Sequence, residues 1–222
     1  MAAPLVFEDI QLTAQSTTRF ALEVRAHSAV AVLGDEDSGI DLLGRFALDL
    51  ATPPSGRVMV YGEEPATLGR RPKLAFRRRV GYLPAGDGLM QNLSLRDNVA
   101  LPLRFGSDLS DHEIDRRLQF ALAAAGLTRV ADLRPAQASE EQRRRAALAR
   151  ALAFDPELVI LEHPFDALTS RAAAELLEIA RGGEVAEGSR RTIFMTSHDL
   201  PDFLRPRIEA TYRLVRGALT PD

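Results

Sequence analysis

Between Ser28 and Leu33 the chain reads SAVAVL, without a charge, and it runs straight into a loop bounded by two glycines, Gly34 and Gly39. An uninterrupted apolar run of this length, closed by a breaker, reads as a strand buried on both faces. From Ile40 to Leu50 apolar residues recur at helical spacing, and Pro53, Pro54 and Gly56 close that segment. A strand apolar on both sides has few places to go, and the usual one is a parallel sheet covered by helices on its two faces. Two later runs repeat the pattern, Leu158–Leu161 (LVIL) and Thr192–Thr196 (TIFMT), with a helical stretch Ser170–Arg181 between them. The predicted fold class is therefore α/β with a mostly parallel sheet.

Around this core, Leu5–Leu12 and Phe20–Val24 alternate partly and read as strands joined by a polar turn at Gln15–Thr18. Arg57–Tyr61 and Val80–Leu83 are shorter strands. From Leu93 to Leu152 the character is helical: Asp111–Ala125 is amphipathic, and Ser139–Leu152 opens with Ser139 and Gln142 at capping-box spacing. The economical division is one domain, 1–222, whose α/β core (1–90 and 155–222) is interrupted by a helical subdomain of about 91–154. No internal repeat is visible. A length of 222 residues, 45% hydrophobic and 27% charged, suits one such unit. The net charge of −3 argues against a nucleic-acid partner. Without cysteine there are no disulfides and no thiolate metal sites. No secretory signal is visible and no apolar run is long enough to span a bilayer, so a soluble protein is expected, with any membrane link made through a partner.

The loop after the first apolar strand reads Gly34-Asp35-Glu36-Asp37-Ser38-Gly39-Ile40-Asp41. The frame G-x-x-x-x-G-K-[S/T] between strand and helix cradles phosphates on backbone amides and a lysine. Both glycines are spaced for that frame, but Ile40 stands at the lysine and Asp41 at the magnesium-binding hydroxyl. With Asp35, Glu36 and Asp37 the loop carries four carboxylates. At an effective dielectric of about 20, a like charge roughly 4–8 Å from a phosphate costs about 2–4 kcal/mol. The half charge of a helix N-terminus does not offset that.

Later segments carry a family resemblance. Val80-Gly81-Tyr82-Leu83-Pro84-Ala85 is similar to the strand before a Q-loop, with Ala85 in place of its glutamine. The run from Leu89 to Leu103 (LMQNLSLRDNVALPL) is similar to the "L-x-x-N-L-T-V-x-E-N-V-A-x-P-L" stretch through which transporter cassettes meet their membrane subunits. Ser139-Glu140-Glu141-Gln142, followed by RRRAALARAL, resembles the signature S-G-G-Q and its helix, with glutamates in place of both glycines. The segment LVILEHPFDALT, ending at Thr169, resembles Walker B and the D-loop: Glu162 replaces the magnesium-linked aspartate, His163 the glutamate that polarises water, and Thr169 the D-loop aspartate. Thr196-Ser197-His198-Asp199 keeps the switch histidine, His198. From end to end the chain resembles an ATP-binding cassette of the ABC-transporter type, and its wording ("R-R-A-A-L-A-R-A", "S-H-D-x-P", "N-V-A-x-P-L") is closest to the ATPases of MCE- or Mla-type phospholipid transporters.

That resemblance implies a P-loop NTPase-like fold with an antiparallel β element at the N-terminus and a place on the cytoplasmic face of the membrane, and the few residues after Gly217 leave no room for an extra regulatory domain. It also implies ATP and Mg²⁺ as cofactors, a permease bound through Leu89–Leu103, and a second cassette, identical or different. In paired cassettes each site combines one chain's phosphate loop with the other's signature. Here both halves are altered in one chain, so the expectation is a degenerate subunit that binds no cofactor tightly and is a structural or regulatory partner of a permease, with lipid as the suggested cargo. Two alternatives stand beside it: an active ATPase using Glu162, His163 and His198, and a soluble interaction protein that kept the fold. Asp41 and Glu162 are weak candidates for a shared cation, with no metal otherwise expected. The basic stretch Arg70, Arg71, Lys73, Arg77, Arg78 and Arg79 reads as a solvated face or as a contact for anionic headgroups.

Overall fold

A computed structural model describes residues 2–182 and 190–222. In chain order the elements are β1 (Leu5–Gln11), β2 (Phe20–Val24), β3 (Ala29–Leu33), α1 (Asp41–Ala47), β4 (Ser55–Val60), α2 (Arg70–Arg78), β5 (Val80–Leu83), α3 (Leu95–Gly106), α4 (Asp111–Ala124), α5 (Glu140–Ala151), β6 (Leu158–Glu162), α6 (Ser170–Arg181), β7 (Thr192–Ser197), β8 (Ala210–Val215) and β9 (Ala218–Pro221). The main sheet has the order β5-β6-β7-β3-β8-β9, parallel except for the β8–β9 edge pair. A second, antiparallel sheet has the order β2-β1-β4.

The apolar runs that predicted buried strands become β3, β6 and β7, and every residue of all three is buried. Successive residues of a strand point to opposite faces, and here that alternation sorts them between two cores. Ala29, Ala31 and Leu33 join Val159, Leu161, Ile193 and Met195 in a cluster with α3, α5 and α6. Val30, Val32, Ile160 and Phe194 join the cluster formed with α1 and the small sheet. Phe7 of β1 meets Phe194 with ring centroids 5.4 Å apart, so the small sheet is fastened to the middle of the large one. The arrangement is α/β, mostly parallel, with an antiparallel N-terminal sheet.

Four elements differ from the sequence reading. The first helix is shorter than Ile40–Leu50, because the chain leaves helical geometry at Leu48 and Asp49 takes a positive φ of 54°. The arginine-rich stretch is the helix α2. Within it Phe76 is the buried residue, Lys73 pairs with Asp49, and the Arg78 Nε donates to the Gly106 carbonyl at 2.5 Å. Arg79, just past its end, lies over the Tyr61 ring at 4.1 Å. Arg70, Arg71 and Arg77 are exposed. Finally, β8 and β9 were not foreseen, since only Leu214 among their residues is fully buried and their composition lacks a continuous apolar run.

Candidate nucleotide site

The site forms where β3, β6 and β7 end, at the carboxyl edge of a parallel sheet, where open α/β folds place their ligands. Beyond β3, the loop from Gly34 folds onto itself. Glu36–Ser38 form one tight helical turn, in which the Ser38 amide and hydroxyl both donate to the Asp35 carbonyl, at 2.9 and 2.5 Å. A Cβ on Gly34 would meet the Ser38 hydroxyl at 2.5 Å and an Ile40 methyl at 2.8 Å. Asp35, Glu36 and Asp37 are exposed. Their repulsion of an anion is therefore screened, and the four carboxylates of the loop are not equivalent as counted from the sequence. Ile40 is 0% exposed and packs into the core with Leu43 and Phe46. It fills apolar space where a lysine would need a phosphate.

Asp41 and His163 bring the ends of two elements together. The His163 Nε2 and the Asp41 Oδ1 are 2.8 Å apart, and since a carboxylate only accepts, Nε2 carries the proton. His163 is buried, with φ at +45°, its amide donating to the Thr196 carbonyl at 2.8 Å. Its Nδ1 is buried and has no hydrogen-bond partner among the described residues. His198, at the end of β7, is exposed and sets its ring 4.2 Å from that of His163.

Glu162 is held from β5 and the loop after it. Its Oε2 accepts from the Tyr82 hydroxyl at 2.8 Å and the Ala85 amide at 3.4 Å. Its Oε1 faces α1, where a Cβ on Gly44 would meet it at 2.7 Å. Burial pushes the Glu162 carboxyl above its ordinary range, more than the Tyr82 hydrogen bond pulls it down. Burial, and then the bond to Glu162, push the Tyr82 hydroxyl up as well, so it stays a donor. In the expected Asp41–Glu162 cation pair, Asp41 accepts from His163 and the Glu162 Oε2 from Tyr82, while the buried Glu162 Oε1 has no hydrogen-bond partner among the described residues.

Several positions of the loop depart from the frame that cradles phosphates. The loop and the first turn of α1 use the amides of Ser38, Ile40, Leu42 and Leu43 internally. The chain's one lysine, Lys73, pairs with Asp49, and the hydroxyl position holds a carboxylate engaged by an imidazole.

At α5 the capping box read from the sequence is in place. The Gln142 amide donates to the Ser139 hydroxyl at 3.2 Å, and the Ser139 amide donates to the Gln142 side chain at 2.9 Å. Glu140 is exposed, and Glu141 pairs with Arg145 at 2.8 Å. Thr169 caps α6 by accepting from the Ala172 amide at 3.3 Å, which gives it a local structural role. In the Leu89–Leu103 run, Asn98 is fully buried and ties Met90 to α3, accepting from its amide at 2.7 Å and donating to its carbonyl at 3.1 Å.

Three site residues escaped the sequence reading: Arg144, Tyr82 and Asp166. Arg144 is buried and donates to the carbonyls of Pro84, Glu162 and His163 at 2.8, 2.7 and 2.6 Å, and also to those of Ala85, Gly86 and Pro164. One planar guanidinium thus holds the loop after β5 against the loop after β6. Its place in α5, one helical turn before Ala147 and Leu148, marks it as inward-facing, a signal masked by the run Arg143-Arg144-Arg145.

The model of the family described as ABC transporter matches residues 17–166. Among curated proteins, Methionine import ATP-binding protein MetN 2 of Pseudomonas aeruginosa is 31% identical over 179 residues, which is 81% of this chain and 53% of that protein. Methionine import ATP-binding protein MetN 1 of Pseudomonas fluorescens is 31% identical over 189 residues, covering 85% of this chain and 55% of its own length. The chain thus spans about half the length of these relatives. Among solved structures, the dimeric ATP-binding cassette MJ0796 bound to ADP and Pi superposes with a TM-score of 0.82 at 22% identity, over 98% of both chains. The structure of cbiO1 from Clostridium perfringens, part of the transporter complex cbiONQ, gives 0.84 at 19% identity, over 99% of this chain and 88% of that one. At these identities the structures establish the fold. The curated names correct the phospholipid wording: they are methionine import ATP-binding proteins, and the short runs taken as specific to lipid transport are carried on a chain that matches them.

Proposed function

The chain belongs to the ABC transporter family, and we propose that within it the protein is a nucleotide-binding-type subunit whose own site no longer binds or hydrolyses ATP in the ordinary way. The observation that supports this most is Ile40: the position of the phosphate-loop lysine is taken by a side chain fully buried in the core. The engaged carboxylates of Asp41 and Glu162 and the two glutamates at the start of α5 support it further. In this reading 1–222 is a single cassette, with its core at 1–90 and 155–222 and a helical subdomain at about 91–154. It lies on the cytoplasmic face of a membrane and partners a permease through Leu89–Leu103, alone or with a second cassette. Among the described residues no helix is long and apolar enough to cross a membrane, in keeping with a partner that does.

A second reading, a working ATP-binding and ATP-hydrolysing subunit with ATP and Mg²⁺ as cofactors, is favoured by the names of the relatives, which are ATP-binding proteins. The same names favour import of a small solute over movement of phospholipid as the transport role. An affinity-tagged chain recovered from detergent-solubilised membranes separates transport from a purely soluble role. A polytopic membrane protein should co-purify, and Asn98→Ala, which frees Met90 from α3, should reduce its recovery. Recovery of soluble proteins alone would support an interaction protein that kept the fold.

A further inference from the structure

We propose that His163, Asp166 and His198 form a binding site for a divalent transition metal of the zinc type. One ligand atom from each lies within 4.8 Å of the other two. His163 Nδ1 and Asp166 Oδ2 are 3.9 Å apart. Tetrahedral zinc with nitrogen and oxygen ligands at about 2.0–2.1 Å needs donors roughly 3.3 Å apart, so closure asks for movements on the order of 1 Å. Asp166 and His198 are both exposed and have room to make them.

The buried member of the set is already oriented. His163 donates its Nε2–H to Asp41, which leaves Nδ1 as the ring atom available to a metal. That atom is shut off from solvent without a hydrogen-bond partner among the described residues. A buried acceptor left empty is costly, and a metal ion would satisfy it. Asp41 then does for His163 what carboxylates behind metal-bound imidazoles do elsewhere: it fixes the tautomer and the ring. The backbone is fixed too, through the His163 amide to Thr196 and the His163 carbonyl to Arg144. Two imidazoles and one carboxylate suit zinc or a neighbouring transition ion rather than magnesium or calcium. Three protein ligands also leave a fourth position open to water or a partner's side chain. The site goes beyond the proposed function and needs no nucleotide.

The test uses the full chain, freed of metal with a chelator and kept without nucleotide. Zinc is titrated against a chromophoric chelator, and cobalt(II) is added as a spectroscopic stand-in. One zinc per chain at micromolar affinity or better is expected, unaffected by millimolar Mg²⁺, together with a visible cobalt absorption. His198→Asn changes an exposed residue and should weaken zinc at least tenfold. Asp41→Asn should weaken it roughly 10–100-fold, as lost support behind a ligating histidine does. His112→Gln, on the exposed face of α4, should leave it unchanged. Absence of micromolar zinc binding, or equal affinity in the folded His198→Asn variant, would overturn the assignment.

Discussion

Two helices in this chain begin where an ABC cassette meets phosphate, and they begin in opposite ways. The start of α5 is polar and self-sufficient: Ser139 and Gln142 satisfy each other's amides, and Glu140 and Glu141 complement the helix dipole. The start of α1 has no side-chain cap, and it is anchored instead by an apolar residue, Ile40, sunk into the core. A helix N-terminus made for an anion leaves its amides free and its surroundings positive. Here Asp41 and the pair Glu140 and Glu141 put carboxylates at both starts instead. The difference is that α5 kept a polar fit of its own, whereas α1 exchanged its polar partner for packing.

The contrast is broken most severely at Arg144, the polar anchor of α5. Replacing it with Ala leaves the buried carbonyls of Glu162, His163 and Pro164 without that donor, and the chain should lose about 4 kcal/mol or more in denaturant unfolding. Arg144→Lys should recover little, since a point charge cannot replace a planar fork of donors. Next comes the apolar anchor of α1. Ile40→Ala opens a cavity in a fully buried site and should cost about 3 kcal/mol by the same measurement. A cost within a few tenths of a kilocalorie would mean that Ile40 is not the anchor and that the loop rearranges freely. Smallest is Ser139→Ala, which removes one cap and should cost about 1 kcal/mol. If its effect exceeded that of Ile40→Ala, the ordering of the two helix starts would be reversed.

Much of the fold was legible because its central strands are buried on both faces, so SAVAVL, LVIL and TIFMT carry an unbroken apolar signal. The capping of α5 was equally legible, since Ser139 and Gln142 lie three residues apart and need nothing distant. What stayed hidden depends on distance. Tyr82 reaches Glu162 across 80 positions, and Asp41 reaches His163 across 122. No local pattern announces either pair. β8 lies beside β3 with residues only partly buried, and α2 hides a single buried Phe76 among arginines. The weight of the phosphate-loop carboxylates was also misread: their number is in the sequence, but whether they face the site or the solvent is set by the turn at Glu36–Ser38.

The central claim, that a buried isoleucine and engaged carboxylates have replaced a triphosphate site, is tested most directly by equilibrium titration of the purified chain with a fluorescent ATP analogue and Mg²⁺. No saturable binding should appear up to millimolar nucleotide, and Ile40→Lys alone should not create it, because Asp41 and the internally bonded amides remain. Saturation in the micromolar range by the unaltered chain would contradict that claim and make the protein a nucleotide-binding subunit in the ordinary sense.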